Sequence, residues 1–363
     1  MMGNIINYYA SGITAKGFYS FIENNLVDLK KLYILKGGPG TGKSDFMKTI
    51  AEMWINEGYD IEYLHCPSDN DAIDGIINST MKVGLVADGD PNVVEPIAPN
   101  ASIEYIKLGT ELDINKIESN AVDIVNINFK VRDCYKKAQE HFRNALKTHD
   151  EWEKIYIDNM NYERADRFAD EIIELLLKDF VSDKKAIVKD RFMGAATPEG
   201  SKDFIENLTS NISKRYFLKG RPGTGKSTLL KKLSKAASDK GTYVEVYHCS
   251  FDPNSLDMII LRELDICIFD STAPHEYFPT RDNDEIIDVY KELVAPGIDE
   301  KYKKKIDKII TRYKAYIAQA TGALKEAKDL HDRFEAIYSD SMDLSKMELM
   351  KNDLLLKISN ISE

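Results

Sequence analysis

Residues 35–45 read "LKGGPGTGKSD" and residues 218–228 read "LKGRPGTGKST". Gly37, Gly42, Lys43 and Ser44 fit the spacing G-x-x-x-x-G-K-[ST], as do Gly220, Gly225, Lys226 and Ser227. Each loop follows a short apolar run, "KLYILKG" or "KRYFLKG", that suits a buried strand. Each opens what the pattern predicts to be a helix, "KSDFMKTIAEMW" or "KSTLLKKLSKAA". Glycine reaches backbone angles that a Cβ forbids, so successive N–H groups can turn toward one anion. The positive end of the helix dipole points at the same place. The expected ligand is a nucleoside triphosphate, with Gly37, Gly38, Pro39, Gly40, Thr41, Gly42, Lys43 and Ser44 around it in one copy. Gly220, Arg221, Pro222, Gly223, Thr224, Gly225, Lys226, Ser227 and Thr228 are the expected counterparts in the other. Lys43 and Lys226 would reach the β- and γ-phosphates, and Ser44 and Ser227 would hold Mg²⁺.

The duplication extends well beyond the loops. With Lys36 set on Lys219, Gly17 meets Gly200, the run "FIEN" recurs at Phe21 and Phe204, and Gly58, Glu62, His65 and Cys66 meet Gly241, Glu245, His248 and Cys249. Further on, "HDEWEKIYIDNM" from His149 answers "HDRFEAIYSDSM" from His331, displaced by one residue. Two copies imply two similar domains, 1–183 and 184–363, with the junction in "VSDKKAIVKD" at residues 181–190. After the loop helix each copy offers a second strand ("YDIEYLHC", "TYVEVYHC"), a short helix and a third strand ("KVGLVAD", "DICIFD"). That alternation predicts an α/β fold with a mainly parallel sheet in each domain, covered on both faces. Residues about 113–180 and 299–360 are rich in Glu, Lys, Asp, Leu and Ile and almost free of Pro and Gly. Their three- and four-residue apolar spacing predicts long amphipathic helices, each paired with the next in a helical hairpin. Such helices cover the sheet or dock the halves together; a moving lid is the alternative.

Both halves resemble P-loop NTPase domains with a Walker A loop of the "GxPGTGKS" kind. The whole chain is similar to an uncharacterised bacterial family of tandem P-loop ATPase-like proteins. The resemblance covers nearly all residues and implies ATP binding.

A Walker B aspartate is then expected at the end of a buried strand, holding Mg²⁺ through water. Asp270 closes "DICIFD"; in the first copy "KVGLVADGD" offers Asp88, with Asp90 behind it. A strand-end Asp is also a common turn former. Lys43, Lys226, Asp88 and Asp270 are the candidate catalytic residues; Ser44, Ser227, Asp88 and Asp270 are the candidate metal ligands. AAA+ hydrolases carry a Glu directly after this Asp, whereas Gly89 and Ser271 stand here. Arg191, Arg221, Arg262 and Arg281 could each lend charge to a transition state.

His65–Cys66 and His248–Cys249 close the second strands, and alternation turns one member of each pair toward the site and the other toward the packing. The ligands are too few for zinc, and a small buried thiol beside a hydrogen-bonded His is the plainer account. Asp69, Asp74, Asp252 and Asp257 follow, as general bases or as helix caps. The copies differ after the loop serine: Thr228 can donate to a phosphate, whereas Asp45 would repel one. After the strand-end Asp, His275 answers Asn92. The second site is therefore expected to bind MgATP more tightly and turn over faster.

The bulk of the chain narrows the function further. Its 363 residues carry a formal net charge of −11, which argues against a nucleic-acid backbone as partner and hence against a helicase. A hydrophobic share of 43 % and a charged share of 30 % suit a globular chain. Four cysteines without CxxC spacing, no basic-then-apolar leader and no long apolar run predict a cytoplasmic protein with no membrane partner. The leading expectation is a slow ATPase that couples nucleotide state to domain arrangement. A kinase for a nucleoside or other small acceptor, and a nucleotide sensor without turnover, are the alternatives. The acceptor, any protein partner and the oligomeric state are not legible in the sequence.

Overall fold

The computed structural model describes residues 2–89, 102–109 and 113–342, together with Leu349, Asn352, Asp353, Leu355, Leu356 and Ile358. Asp90 and Asn92 lie outside the described residues. The first copy runs β1 (Ile5–Tyr9), β2 (Ser11–Thr14), β3 (Gly17–Ser20), α1 (Ile22–Leu26), β4 (Lys31–Lys36), α2 (Lys43–Asn56), β5 (Ile61–His65), β6 (Ile73–Asn78), β7 (Val83–Asp88), β8 (Ser102–Lys107), α3 (Ile114–Ser119), α4 (Ala121–Ile157) and α5 (Tyr162–Leu177). The second runs β9 (Ile187–Phe192), β10 (Gly194–Thr197), β11 (Gly200–Asp203), α6 (Ile205–Leu208), β12 (Lys214–Lys219), α7 (Lys226–Asp239), β13 (Tyr243–His248), β14 (Leu256–Leu261), β15 (Ile266–Asp270), β16 (Glu285–Asp288), α8 (Val289–Leu293) and α9 (Ile298–Ser339).

The fold is α/β, as expected, but the copies do not build separate sheets. Among the described residues twelve strands form one sheet in the order β16-β12-β15-β14-β13-β9-β1-β5-β6-β7-β4-β8. Read outward from the centre, both copies have the same order. Their innermost strands, β1 and β9, meet antiparallel at Tyr9 and Phe192, so the copies are related by an approximate twofold. The sheet is mixed. Where a short helix was expected, β6 and β14 run antiparallel to both neighbours. Their sequences, "IDGIIN" and "LDMIIL", carry β-branched pairs suited to a pleated surface and are too short for a stable helix. Tight turns reverse the chain after each, with Lys82 and Asp265 in left-handed conformation.

The helices after the loops cover the sheet through their apolar stripes. Phe46, Met47, Ile50 and Trp54 of α2 pack on Tyr33, Leu35 and Leu85, and Leu229, Leu230 and Leu233 of α7 pack on Leu218, Val244 and Ile268. Another core draws on both copies: Tyr8, Ile34, Leu64 and Val86 join Phe217, Tyr247, Met258 and Phe269. At the junction Arg191 is 1 % exposed. Its guanidinium lies 4.1 Å from the Tyr8 ring centroid and donates to Asn25 Oδ1 (2.8 Å) and Glu62 Oε2 (2.7 Å), with Glu245 Oε2 at 3.7 Å.

Helices α4 and α9, of 37 and 42 residues, lack Pro. At 1.5 Å per residue α4 alone is about 55 Å long. The expectation that each pairs with the next helix in sequence is not met. Instead α4 and α9 pack antiparallel against each other. Ala138 and Ala320, both fully buried, let them approach at the crossing beside Phe142 and Leu324. Ile127 and Val131 meet Phe334 at one end, and Ile155 and Tyr156 meet Ile298 and Ile306 at the other. The shorter α5 lays Phe168, Ala169 and Ile172 on α7 of the second copy, while Leu355 and Ile358 pack into the first. The helical segments are exchanged between the copies. Among the described residues no helix is long and apolar enough to cross a membrane.

Candidate functional site

Both glycine-rich loops join a strand to a helix that starts at the lysine, as the spacing predicts. In the first, Lys43 Nζ donates to the carbonyls of Gly37 and Gly38, both at 2.9 Å, and Thr41 Oγ1 donates to Gly38 at 2.9 Å. In the second, Lys226 Nζ and Thr224 Oγ1 both donate to the Arg221 carbonyl, at 2.9 and 2.8 Å. Burial lowers the Lys43 pKa, and the carboxylates of Glu335 and Asp88 pull it back up. Ser44 Oγ accepts from Ile73 N at 3.1 Å and Ser227 Oγ from Leu256 N at 2.9 Å, which ties each helix start to the antiparallel strand. Pro39 and Pro222 sit within the loops, half-buried, and Asp45 and Thr228 both lie exposed one residue past the serines.

The strand-end aspartates are not at equivalent places. β7 pairs with β4 so that Ala87 stands opposite Leu35 and Asp88 opposite Lys36. β15 pairs with β12 so that Asp270 stands opposite Leu218. Ala87 is therefore the counterpart of Asp270, and neighbouring strand residues point to opposite faces. Asp270 Oδ2 lies 3.5 Å from Lys226 Nζ. Asp88 Oδ2 lies 2.6 Å from Lys36 Nζ. The second copy thus gathers lysine, hydroxyl and carboxylate, an all-oxygen set beside a cation; in the first the carboxylate is shifted by one residue.

Each loop is completed from the other copy. The end of α9 rests on the first loop: Gly40 N–H donates to Glu335 Oε1 (3.3 Å), and Ser339 Oγ donates to the Gly40 carbonyl (3.4 Å). The end of α4 rests on the second, where Glu153 packs against Gly223. Gly40 and Gly223 have φ of +67° and +75°, and an added Cβ would come within 2.8 Å of the Glu335 carbonyl oxygen or 2.6 Å of that of Glu153. Glycine is required there by the docked helix as well as by the turn. One turn back on each helix sit His149 and Asp150, and His331 and Asp332. In each of these His-Asp-Glu trios one ligand atom per residue lies within 4.8 Å of the others. Sequence reasoning missed them as site residues. Their signal was present in the recurring "HDEWE" and "HDRFE", but nothing local says that a helix will reach across to the other copy's loop.

Around the second loop several groups carry shifted affinities for protons. Burial, with Lys226 next, holds His149 down to about 4, so its ring is neutral. Burial and then Asp150 raise Glu153. Burial and then Asp270 push Asp257 up to about 6. His275 is buried, yet its Nδ1 lies 2.7 Å from Asp203 Oδ2, which raises it.

The His–Cys pairs split as alternation requires. His65 stacks on Phe204 of the other copy at 4.4 Å, and His248 on Phe21 of the other copy at 4.5 Å. The thiols of Cys66 and Cys249 turn toward Asp74 and Asp257, and burial pushes both far up, out of nucleophilic range. Asp69 and Asp252 cap no helix; each accepts from the amide two residues on, at 2.9 and 3.0 Å, forming a turn. Of the four arginines considered, Arg191 is buried at the junction, Arg262 pairs with Glu245, and Arg281 holds the carbonyls of Thr209 and Ile212. Arg221 belongs to the second loop and pairs with Asp299. No family model, curated protein or solved structure matches this chain.

Proposed function

We propose that this chain is a P-loop protein with two sites for a magnesium–nucleoside triphosphate, ATP by its resemblance, and that it works as a slow ATPase. The observation that carries the reading is the strand–loop–helix geometry, present twice, with the lysine drawn back onto loop carbonyls and a serine hydroxyl at the helix start. Incoming phosphate would take over the inward amides and the lysine ammonium. Hydroxyl and carboxylate oxygens are the donors that Mg²⁺ prefers, and Ser227 with Asp270 supplies them at the second site. At the first, Ser44 is in place and Asp88 is engaged by Lys36, so this site favours binding over turnover. Because α4 and α9 each touch the other copy's loop, nucleotide at one site bears on the arrangement of both halves.

The test is MgATP binding together with phosphate and ADP release by the full chain, beside Lys43→Ala and Lys226→Ala. Binding of two equivalents, with release abolished chiefly by Lys226→Ala, is the expected result. Absence of nucleotide binding overturns the reading. Binding at both loops without release would leave a nucleotide sensor, the reading that Asp45 and Ala87 favour for the first site.

A further inference from the structure

A triphosphate bound in either loop needs a group to take the proton of an attacking water. Ser271, directly after Asp270, cannot do so, and its counterpart Asp88 is held by Lys36 at 2.6 Å. Another carboxylate is already at each loop. Glu335 accepts from the amide of Gly40, and Glu153 packs against Gly223, the equivalent residue in the other copy, whose amide lowers its proton affinity. Each feels its loop lysine: Glu335 raises the proton affinity of Lys43, and Lys226 lowers that of Glu153. Each carries a histidine one helical turn away, His149 Nδ1 at 3.6 Å from Glu153 Oε1 and His331 Nδ1 at 3.8 Å from Glu335 Oε1. Helix α9, which bears Glu335, is also held to the turn beside the first loop by the ion pair of Lys328 with Asp69, at 3.3 Å. Loop, acid and histidine thus recur around the approximate twofold.

We propose that Glu153 of α4 and Glu335 of α9 are the water-activating carboxylates of these sites, each acting on nucleotide held by the other copy. This rests on the reading of the loops as ATP sites. When the cradle fills, the phosphate takes the loop amide from the carboxylate, since both are anions and the amide is one donor. The carboxylate is left beside the terminal phosphate. Water oxygen then bonds to the γ-phosphorus as the bond from that phosphorus to the β–γ bridging oxygen breaks. The water proton passes to the carboxylate, and ADP and inorganic phosphate form. The raised proton affinity of Glu153 suits that role better than an ordinary surface carboxylate.

The experiment isolates one site at a time in the full chain. Glu153→Gln is placed in the Lys43→Ala background, where only the second cradle retains its lysine. Glu335→Gln is placed in the Lys226→Ala background. MgATP binding, kcat and the pH profile are measured for each. For Glu153→Gln the expected result is a kcat lower by about a hundredfold, with nucleotide bound at least as tightly and the acid limb of the pH profile lost; for Glu335→Gln, at the slower first site, it is loss of the residual release with nucleotide bound at least as tightly. Tight binding by the Gln variants also reports that they have folded. A kcat within about twofold of the parent background, with binding retained, overturns the proposal. Loss of binding in step with kcat does so too, by making the glutamates structural. Should the unmutated chain bind MgATP and release no phosphate, the catalytic role falls while the nucleotide sites stand. If it binds no nucleotide, both fall together.

Discussion

Asp270 and Ala87 occupy one position in two copies of one strand, and that single difference separates the sites chemically. Asp270→Asn should lower magnesium-dependent phosphate release by about tenfold or more, because the carboxylate that would orient the metal's water is gone. Ala87→Asp, which returns the carboxylate to the first copy, should strengthen the magnesium dependence of nucleotide binding in a Lys226→Ala chain. A magnesium titration of each variant decides both. Asp257 offers a test that needs no nucleotide. Its proton is held up to about 6 in the folded protein, against an ordinary aspartate value of 3.8. Between those two values the folded chain keeps a proton that the unfolded chain has released. This group's contribution to stability is therefore full at low pH and is lost as pH rises through about 6. Asp257→Asn abolishes that loss, so the midpoint difference between variant and parent in thermal unfolding should grow from pH 4 to pH 7 in the variant's favour.

At the scale of elements, the loops and their flanking strand and helix were legible because everything that specifies them is local: apolar run, glycine spacing, helix-forming residues. The antiparallel strands β6 and β14 were not. "IDGIIN" reads equally as a short buried helix or strand until its hydrogen-bonding neighbours are known. The partner of the long helices was also hidden, since apolar periodicity shows that a face is covered and is silent on what covers it. The crossing of α4 and α9 depends on two methyl side chains. Ala138→Leu or Ala320→Leu forces added volume into fully buried space and should cost about 1–3 kcal/mol, read as a lower melting temperature. Because the same helices end at the two loops, either change should also lower turnover at both.

For the whole molecule, the duplication could be read from the sequence and its union into one sheet could not, because a single antiparallel meeting at Tyr9 and Phe192 leaves no pattern. That union depends on a buried charge. Arg191→Met would strand the Glu62 carboxylate, leave Glu245 to Arg262 alone, and should cost about 3–5 kcal/mol in denaturant unfolding. Residues 1–183 or 184–363 alone would expose half of the common core and an unpartnered long helix. Each fragment should fail to give a cooperative unfolding transition, and mixing the two should restore one, as circular dichroism would show.

The exchange of helices also has a bearing on descent. A lone copy holds a glycine loop whose acid belongs to someone else, so the smallest self-sufficient ancestor is a symmetric pair of identical chains. In such a pair every substitution is inherited twice, and neither loop can weaken without the other. A joined pair is free of that constraint. Ala87 against Asp270, and Asp45 against Thr228, are differences that two joined copies can hold and a pair of identical chains cannot.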